Sequence, residues 1–233
     1  MERDVMEYDV LVVGAGPAGL SAAIKFAQLN KKNNTNHSIC VIEKGSEVGA
    51  HILSGNVFEP TALNELIPDW KEKEAPLETP VKKDVVKYLI NKNISIPIPF
   101  PGTFMPNFNN HGNYIMSLAN FCRWLAKEAE SLGVEIFAGF TASEIIIEND
   151  QLMGIVTGEM GVSKDGEKKP SYQPSMELRA KYTVLSEGCR GHLGKQIIKK
   201  FNLDEGKDPQ PVSYTHLRAH ETVLDLVCRL LLE

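Results

Sequence analysis

Hydrophobic residues fall into a few short blocks with distinct periods. Residues 9–13 (D-V-L-V-V) form a valine-rich apolar run, the mark of a strand buried on both faces. A glycine-rich turn follows, and then Leu20, Ala23, Ile24 and Ala27 recur at helical spacing. Residues 38–42 (S-I-C-V-I) predict a second strand, and the polar stretch 30–37 between them predicts a surface connection. Further on, 56–73 reads as a short helix, with Pro60 suited to its first turn and Pro68 ending it. A charged, proline-containing connector over 72–83 leads to a strand over 84–90. Residues 117–132 predict a helix with Leu118, Phe121, Cys122, Leu125, Ala126 and Ala129 on one face, capped by Ser117 and stopped by Gly133. Strands are expected at 134–137, 142–148, 151–157 and 176–185. The middle two are joined by a tight Asn149-Asp150 turn, and 159–174 forms a long polar hairpin tip.

The order strand, glycine turn, helix, strand is that of a dinucleotide-binding βαβ unit. Its turn is Gly14-Ala15-Gly16-Pro17-Ala18-Gly19, a G-x-G-x-x-G. Gly14 suits the tight turn, Gly16 lets a pyrophosphate approach the backbone, and Gly19 allows close helix–strand packing. The helix N-terminus supplies unpaired N–H groups and a positive dipole end to the phosphate. Glu43 ends the second strand about 24 residues beyond Gly19, near the spacing of an acidic residue that accepts ribose hydroxyls. Beside it, Lys44 opens a loop rich in small residues that runs through Ser54 and Gly55. A second strand–acid–glycine–helix element stands at Glu187-Gly188. Paired with the first, it points to FAD.

Residues 94–108 (I-S-I-P-I-P-F-P-G-T-F-M-P-N-F) are apolar and broken by four prolines, which excludes helix and the interior of a sheet. Two readings stand: internal packing over a pocket, or contact with lipid or an apolar ligand. His111 reads as a turn residue.

Composition narrows the classes. The 233 residues are 42% hydrophobic, enough for one large domain or two smaller ones. A net charge of −5 without a basic, aromatic-interleaved patch speaks against nucleic acid as a partner. Cys40, Cys122, Cys189 and Cys228 match no zinc or cluster spacing and read as reduced thiols. No signal peptide, Arg-rich presequence or membrane-spanning run is expected. Residues 211–233 differ in composition from what precedes them and resemble a translated adapter sequence, so they are expected to be a non-native tail.

Residues 8–210 resemble the N-terminal third of the electron-transfer flavoprotein–ubiquinone oxidoreductase family. The resemblance rests on V-G-A-G-P-A-G-L-S-A-A (13–23), G-A-H-I-L-S-G (49–55), P-D-W-K-E-K (68–73), A-P-L-E-T-P-V (75–81), N-N-H-G-N-Y-I (109–115) and E-G-C-R-G-H-L-G-K-Q (187–196). FixC-type dehydrogenases and geranylgeranyl reductases share the first fingerprint and form the alternative.

The resemblance implies a Rossmann-like α/β FAD-binding domain of the glutathione-reductase type with an inserted α+β quinone and membrane-surface region. It divides the chain into 1–55 (FAD-binding βαβ), 56–115 (insert), 116–210 (FAD-binding domain continued) and the tail 211–233. It implies FAD on Gly14, Gly16, Pro17, Ala18, Gly19, Glu43 and Lys44. Ser54 and Gly55 are expected near the isoalloxazine, and Glu187 with Gly188 as the second contact. Many FAD relatives carry Asp where Glu187 stands. The implied partners are electron-transfer flavoprotein and ubiquinone, with peripheral membrane contact through 94–108. A 4Fe-4S cluster would be held by cysteines in the family's C-terminal part, to which none of the four cysteines here belongs. The polypeptide is expected to be a truncated fragment that binds FAD poorly and does not complete the reaction alone. The expected location is the cytoplasmic face of a bacterial inner membrane, with the mitochondrial inner membrane as alternative. Electron transfer itself needs no side-chain acid or base, so no catalytic residue is named.

Overall fold

The computed structural model describes residues 3–52, 55–98, 110–163, 167–188 and 191–206. Ser54, residues 99–108 and the tail 211–233 lie outside the described residues. The chain divides into two compact units, 1–194 and 195–233. The division falls inside the last helix among the described residues, α4 (His192–Phe201).

A six-stranded sheet organises the first unit. Its spatial order is β8 (Glu135–Ala138), β2 (Ile39–Glu43), β1 (Val5–Val13), β13 (Glu177–Leu185), β10 (Gln151–Thr157), β9 (Ala142–Glu148). The first four strands run parallel; β10 adds antiparallel to β13, and β9 antiparallel to β10. The β1–β2 register pairs Val12 with Val41, and the β1–β13 register pairs Val12 with Val184. Alternate β1 residues enter opposite cores because strand side chains have a period of two. Val10 and Val12 join α1 (Pro17–Asn33) and α3 (Leu118–Ser131) on one face, whereas Leu11 and Val13 join Cys40, Ile155, Leu178 and Leu193 on the other.

α1 begins at Pro17, whose missing N–H costs nothing at that position. It buries Gly19, Leu20, Ala23, Ile24 and Ala27. It runs further than the polar stretch 30–37 suggests and ends only where Asn34 turns left-handed, at φ 53°. Lys31 and Lys32 in its last turn complement the dipole. α3 is capped as expected, by the Ser117 hydroxyl accepting the Asn120 N–H at 3.4 Å.

The segment between β2 and α3 differs from expectation at its start. Residues 56–58 are a strand, β3 (Asn56–Phe58), paired with β7 (Tyr114–Met116) instead of the first turn of a helix. The helix α2 is confined to Thr61–Leu66. β4 (Thr79–Pro80) completes this small sheet. It packs on α3 through Phe58 and Phe121, whose rings lie 4.9 Å apart, and the Trp124 indole donates to the Lys73 carbonyl at 2.9 Å. Beyond it, β5 (Lys87–Asn91) and β6 (Ile94–Pro97) form a separate two-stranded hairpin. Its Tyr88, Ile90, Ile94 and Ile96 are all more than half exposed on this chain. The 159–174 tip also pairs with itself, as β11 (Met160–Val162) against β12 (Lys168–Gln173).

Candidate functional site

The glycine turn hangs between the C-terminal ends of β2 and β13. The Gly14 N–H donates to the Ile42 carbonyl at 2.8 Å, and the Ser186 N–H donates to the Val13 carbonyl at 2.9 Å. Gly14 sits at φ +105°, a conformation that favours glycine, and a Cβ there would stand 2.6 Å from the Ser186 carbonyl oxygen. A Cβ on Gly19 would run into the Gly14 carbonyl and the Ser186 hydroxyl. These two glycines are demanded by the chain's own packing. Gly16 is different: its backbone (φ −77°, ψ −179°) suits any residue, and no atom lies within 4 Å of where its Cβ would be.

That open space belongs to a cavity of about 910 Å³ at the C-terminal ends of β1, β2 and β13, within the size range of ligand pockets. This is where ligands bind in open α/β sheets. The cavity wall brings together Gly14, Gly16, Pro17, Ala18, Glu43, Lys44, Glu187 and Gly188, from sequence positions far apart. Gly19 is buried beneath it. Gly55, at φ +88°, is not in the lining, and Ser54 lies outside the described residues.

The carboxylate of Glu43 faces back toward the turn. Oε2 accepts the Ala15 N–H at 3.0 Å and Oε1 accepts the Gly45 N–H at 2.7 Å. A carboxylate has about four acceptor sites, so these bonds leave capacity for hydroxyl donors. The N-terminus of α1 has no side-chain cap and no acidic residue in its first turn, which leaves its N–H groups and dipole to an anion. The donors of the turn, the room at Gly16 and the acceptor at Glu43 together fit a dinucleotide's pyrophosphate and ribose.

Glu187 is arranged otherwise. Its carboxylate accepts the N–H groups of Gly194 at 3.0 Å and Leu193 at 3.4 Å, in the first turn of α4. His192 Nδ1 lies 3.5 Å from the same carboxylate, and its Nε2 lies 3.0 Å from the Ser143 carbonyl. The residue expected to meet a cofactor hydroxyl thus directs both oxygens to its own helix.

Sequence reasoning missed Ser186, Phe140, Thr141 and Ala142, which also line the cavity. The last three follow β8 at the same end of the sheet, and strand order alone would have flagged them. Ser186 has no local signal, because its partners lie more than 170 residues away.

Cys40 and Cys122 are buried free thiols in the two separate core clusters. Burial pushes both up to about 12, and the neighbouring Glu43 carboxylate adds to the effect at Cys122. Neither is a thiolate near neutral pH. Among the described residues, no group of three or more His, Cys, Asp or Glu side chains is placed to hold a metal. None of the described helices is long and apolar enough to cross a membrane.

A parallel sheet with a glycine turn, an acidic second strand end and a cavity at the strand tips defines a Rossmann-like dinucleotide-binding protein. The family described as the NAD(P)-binding Rossmann-like domain matches residues 12–67. The chain is 58% identical over 213 residues to the electron transfer flavoprotein-ubiquinone oxidoreductase of Pseudomonas aeruginosa, covering 90% of this chain and 38% of that protein. It is 49% identical over 213 residues to the mitochondrial protein of that name from Oryza sativa subsp. japonica, covering 91% of this chain and 36% of that one. Over this shared length the chain is similar to the electron transfer flavoprotein-ubiquinone oxidoreductases, and it spans a little over a third of those relatives.

Two solved structures share the fold. A geranylgeranyl bacteriochlorophyll reductase-like protein from Thermoplasma acidophilum aligns with a TM-score of 0.57 at 23% identity, over 82% of this chain and 42% of that one. The myxobacterial halogenase CndH, described as a variant of FAD-dependent halogenases, aligns with a TM-score of 0.53 at 16% identity, over 82% and 39%. At these identities the likeness concerns fold alone.

Proposed function

We propose that this chain forms the FAD-holding part of an electron transfer flavoprotein–ubiquinone oxidoreductase. The observation that carries the reading is Gly16, a glycine that the protein's own packing does not require, at the uncapped N-terminus of α1 and open to the cavity. Gly14, Gly16, Pro17, Ala18 and Gly19 would hold the pyrophosphate, and Glu43 with Lys44 the adenosine ribose. Ser54 and Gly55 are proposed for the flavin and Glu187-Gly188 for the second contact.

FAD, when bound, supplies the reversible electron carrier. The chain's own residues bind it, orient it and keep water from it. The activity proposed for the whole-length protein is electron transfer from reduced electron-transfer flavoprotein, through FAD and a 4Fe-4S cluster, to ubiquinone. The cluster ligands are assigned to the part of the relatives that this chain does not span. Likeness to a geranylgeranyl reductase at 23% identity supports the alternative less than 58% identity supports this reading.

FAD titration of the chain, followed by flavin fluorescence, tests the assignment. Binding is expected to be weak, with ADP competing and FMN not, because the residues above hold the ADP half. Displacement by FMN but not by ADP rejects it.

Within the same proposal, 56–115 is the quinone and membrane-surface insert and 211–233 a non-native tail. The hairpin β5–β6, with Tyr88, Ile90, Ile94 and Ile96 exposed beside Lys87 and Lys92, rests on a bacterial or mitochondrial membrane surface; the rest of the 94–108 stretch, from 99 on, lies outside the described residues. Replacing Tyr88, Ile94 and Ile96 by Ser should lower co-sedimentation with anionic liposomes severalfold. Unchanged pelleting sinks the membrane contact.

A further inference from the structure

The two cofactor motifs are joined through a single peptide group. The Ser186 hydroxyl lies 2.8 Å from the Val13 carbonyl oxygen and 3.0 Å from the Gly14 carbonyl oxygen, so its one proton is shared between two acceptors. The Gly14 carbonyl belongs to the Gly14–Ala15 peptide. The N–H of that same peptide donates to Glu43 Oε2 at 3.0 Å. In a planar trans peptide the C=O and N–H point in opposite directions. Ser186, at the end of β13, and Glu43, at the end of β2, therefore grip one peptide plane from opposite sides.

We propose that Ser186 is a positioning residue that, with Glu43, holds the Gly14–Ala15 peptide in the orientation that keeps the glycine turn open to a dinucleotide. The preceding peptide is held in the same way, its carbonyl by the Ser186 N–H and its N–H by the Ile42 carbonyl. That second grip keeps two backbone bonds, with the Ser186 hydroxyl as a third contact on the Val13 carbonyl, so Ser186→Ala leaves both backbone bonds in place. The clamp on Gly14–Ala15 depends on two side chains, and Ser186 is the half that no fingerprint contains. Its hydroxyl adds to the demand for glycine at 19, where a Cβ would meet the Gly14 carbonyl first and then this hydroxyl at 2.5 Å. The consequence for ligand binding rests on the reading of the cavity as an FAD site; the clamp itself does not.

The test uses the 233-residue chain and follows amide hydrogen exchange by NMR without ligand. In Ser186→Ala, the Ala15 amide is expected to exchange about tenfold faster, the scale of one neutral hydrogen bond. The Gly14 amide changes less, because its peptide keeps two backbone bonds, to the Ile42 carbonyl and from the Ser186 N–H, when the hydroxyl is lost. Ser186→Cys fills the space with a weak donor and is expected to behave like Ala. In a Glu43→Gln background, adding Ser186→Ala should have less effect than alone, because both act on one peptide.

An unchanged Ala15 amide overturns the proposal. So does a rise spread evenly over Val12, Val13 and Gly14, or protection retained in Ser186→Cys. FAD titration of the same variants separates the two readings. A parent chain that takes up no FAD defeats the cavity assignment, while the Ala15 amide still decides the clamp. A parent that binds FAD and a Ser186→Ala variant that binds it equally well defeat the positioning role.

Discussion

The chain contains two strand–glycine–helix turns of similar grammar, and they are built to opposite ends. At the first, α1 starts with no side-chain cap and no acidic residue, and the space above Gly16 is open. At the second, Glu187 folds onto the first turn of α4, and a Cβ on Gly191 would stand 2.7 Å from the Glu187 side chain. One glycine leaves room for something outside the chain; the other leaves room for the chain's own carboxylate. A helix N-terminus offers N–H groups and a dipole, but it serves a ligand only where no side chain has already taken them. The motif alone does not say which case applies.

The largest effect that tests this contrast is Gly16→Val. It should weaken FAD binding about a hundredfold, the scale of one charge-assisted hydrogen bond that the added side chain would block, while costing less than about 1 kcal/mol of stability. Titration against thermal unfolding separates the two. Gly191→Ala should do the reverse: about 1–3 kcal/mol of destabilisation from overpacking against Glu187, and a smaller change in FAD affinity than at Gly16. If the two variants exchange profiles, the contrast between the turns is wrong.

The smallest effect lies at the other end of the same strands. Asp9 is held down to about 2, first by its hydrogen bond with Lys181, whose Nζ is 2.6 Å away, and then by the Ser38 N–H. A carboxyl lowered in the folded state stabilises above its ordinary value near ~4 and loses that contribution as pH falls toward 2. Asp9→Asn should flatten the fall in melting temperature between about pH 4 and pH 2, and leave it unchanged near neutrality. An acid limb as steep as the parent's would remove Asp9 from the account.

Much of the βαβ unit was legible because its signals are local. A valine run, three spaced glycines and a helical repeat follow one another directly, and β1 and α1 form there with β2 next in the chain. The errors arose where a long-range partner decided the outcome. Residues 56–58 carry no clear strand pattern, yet they pair with β7 nearly sixty residues later. Residues 30–33 look like loop by polarity, yet nothing stops the helix before Asn34. The 159–174 tip, read as a hairpin, does pair with itself.

By itself the sequence determined the order of elements, the glycine turn, the acidic end of β2 and the likeness to a flavoprotein family, because those depend on spacing along the chain. Only the tertiary structure decided what each candidate does. It set Glu43 and Ser186 on opposite sides of one peptide and turned Glu187 onto α4. It also left Gly16 facing open space. The reason is geometric: a hydrogen bond depends on where two atoms lie, and parallel strands bring together residues 172 positions apart.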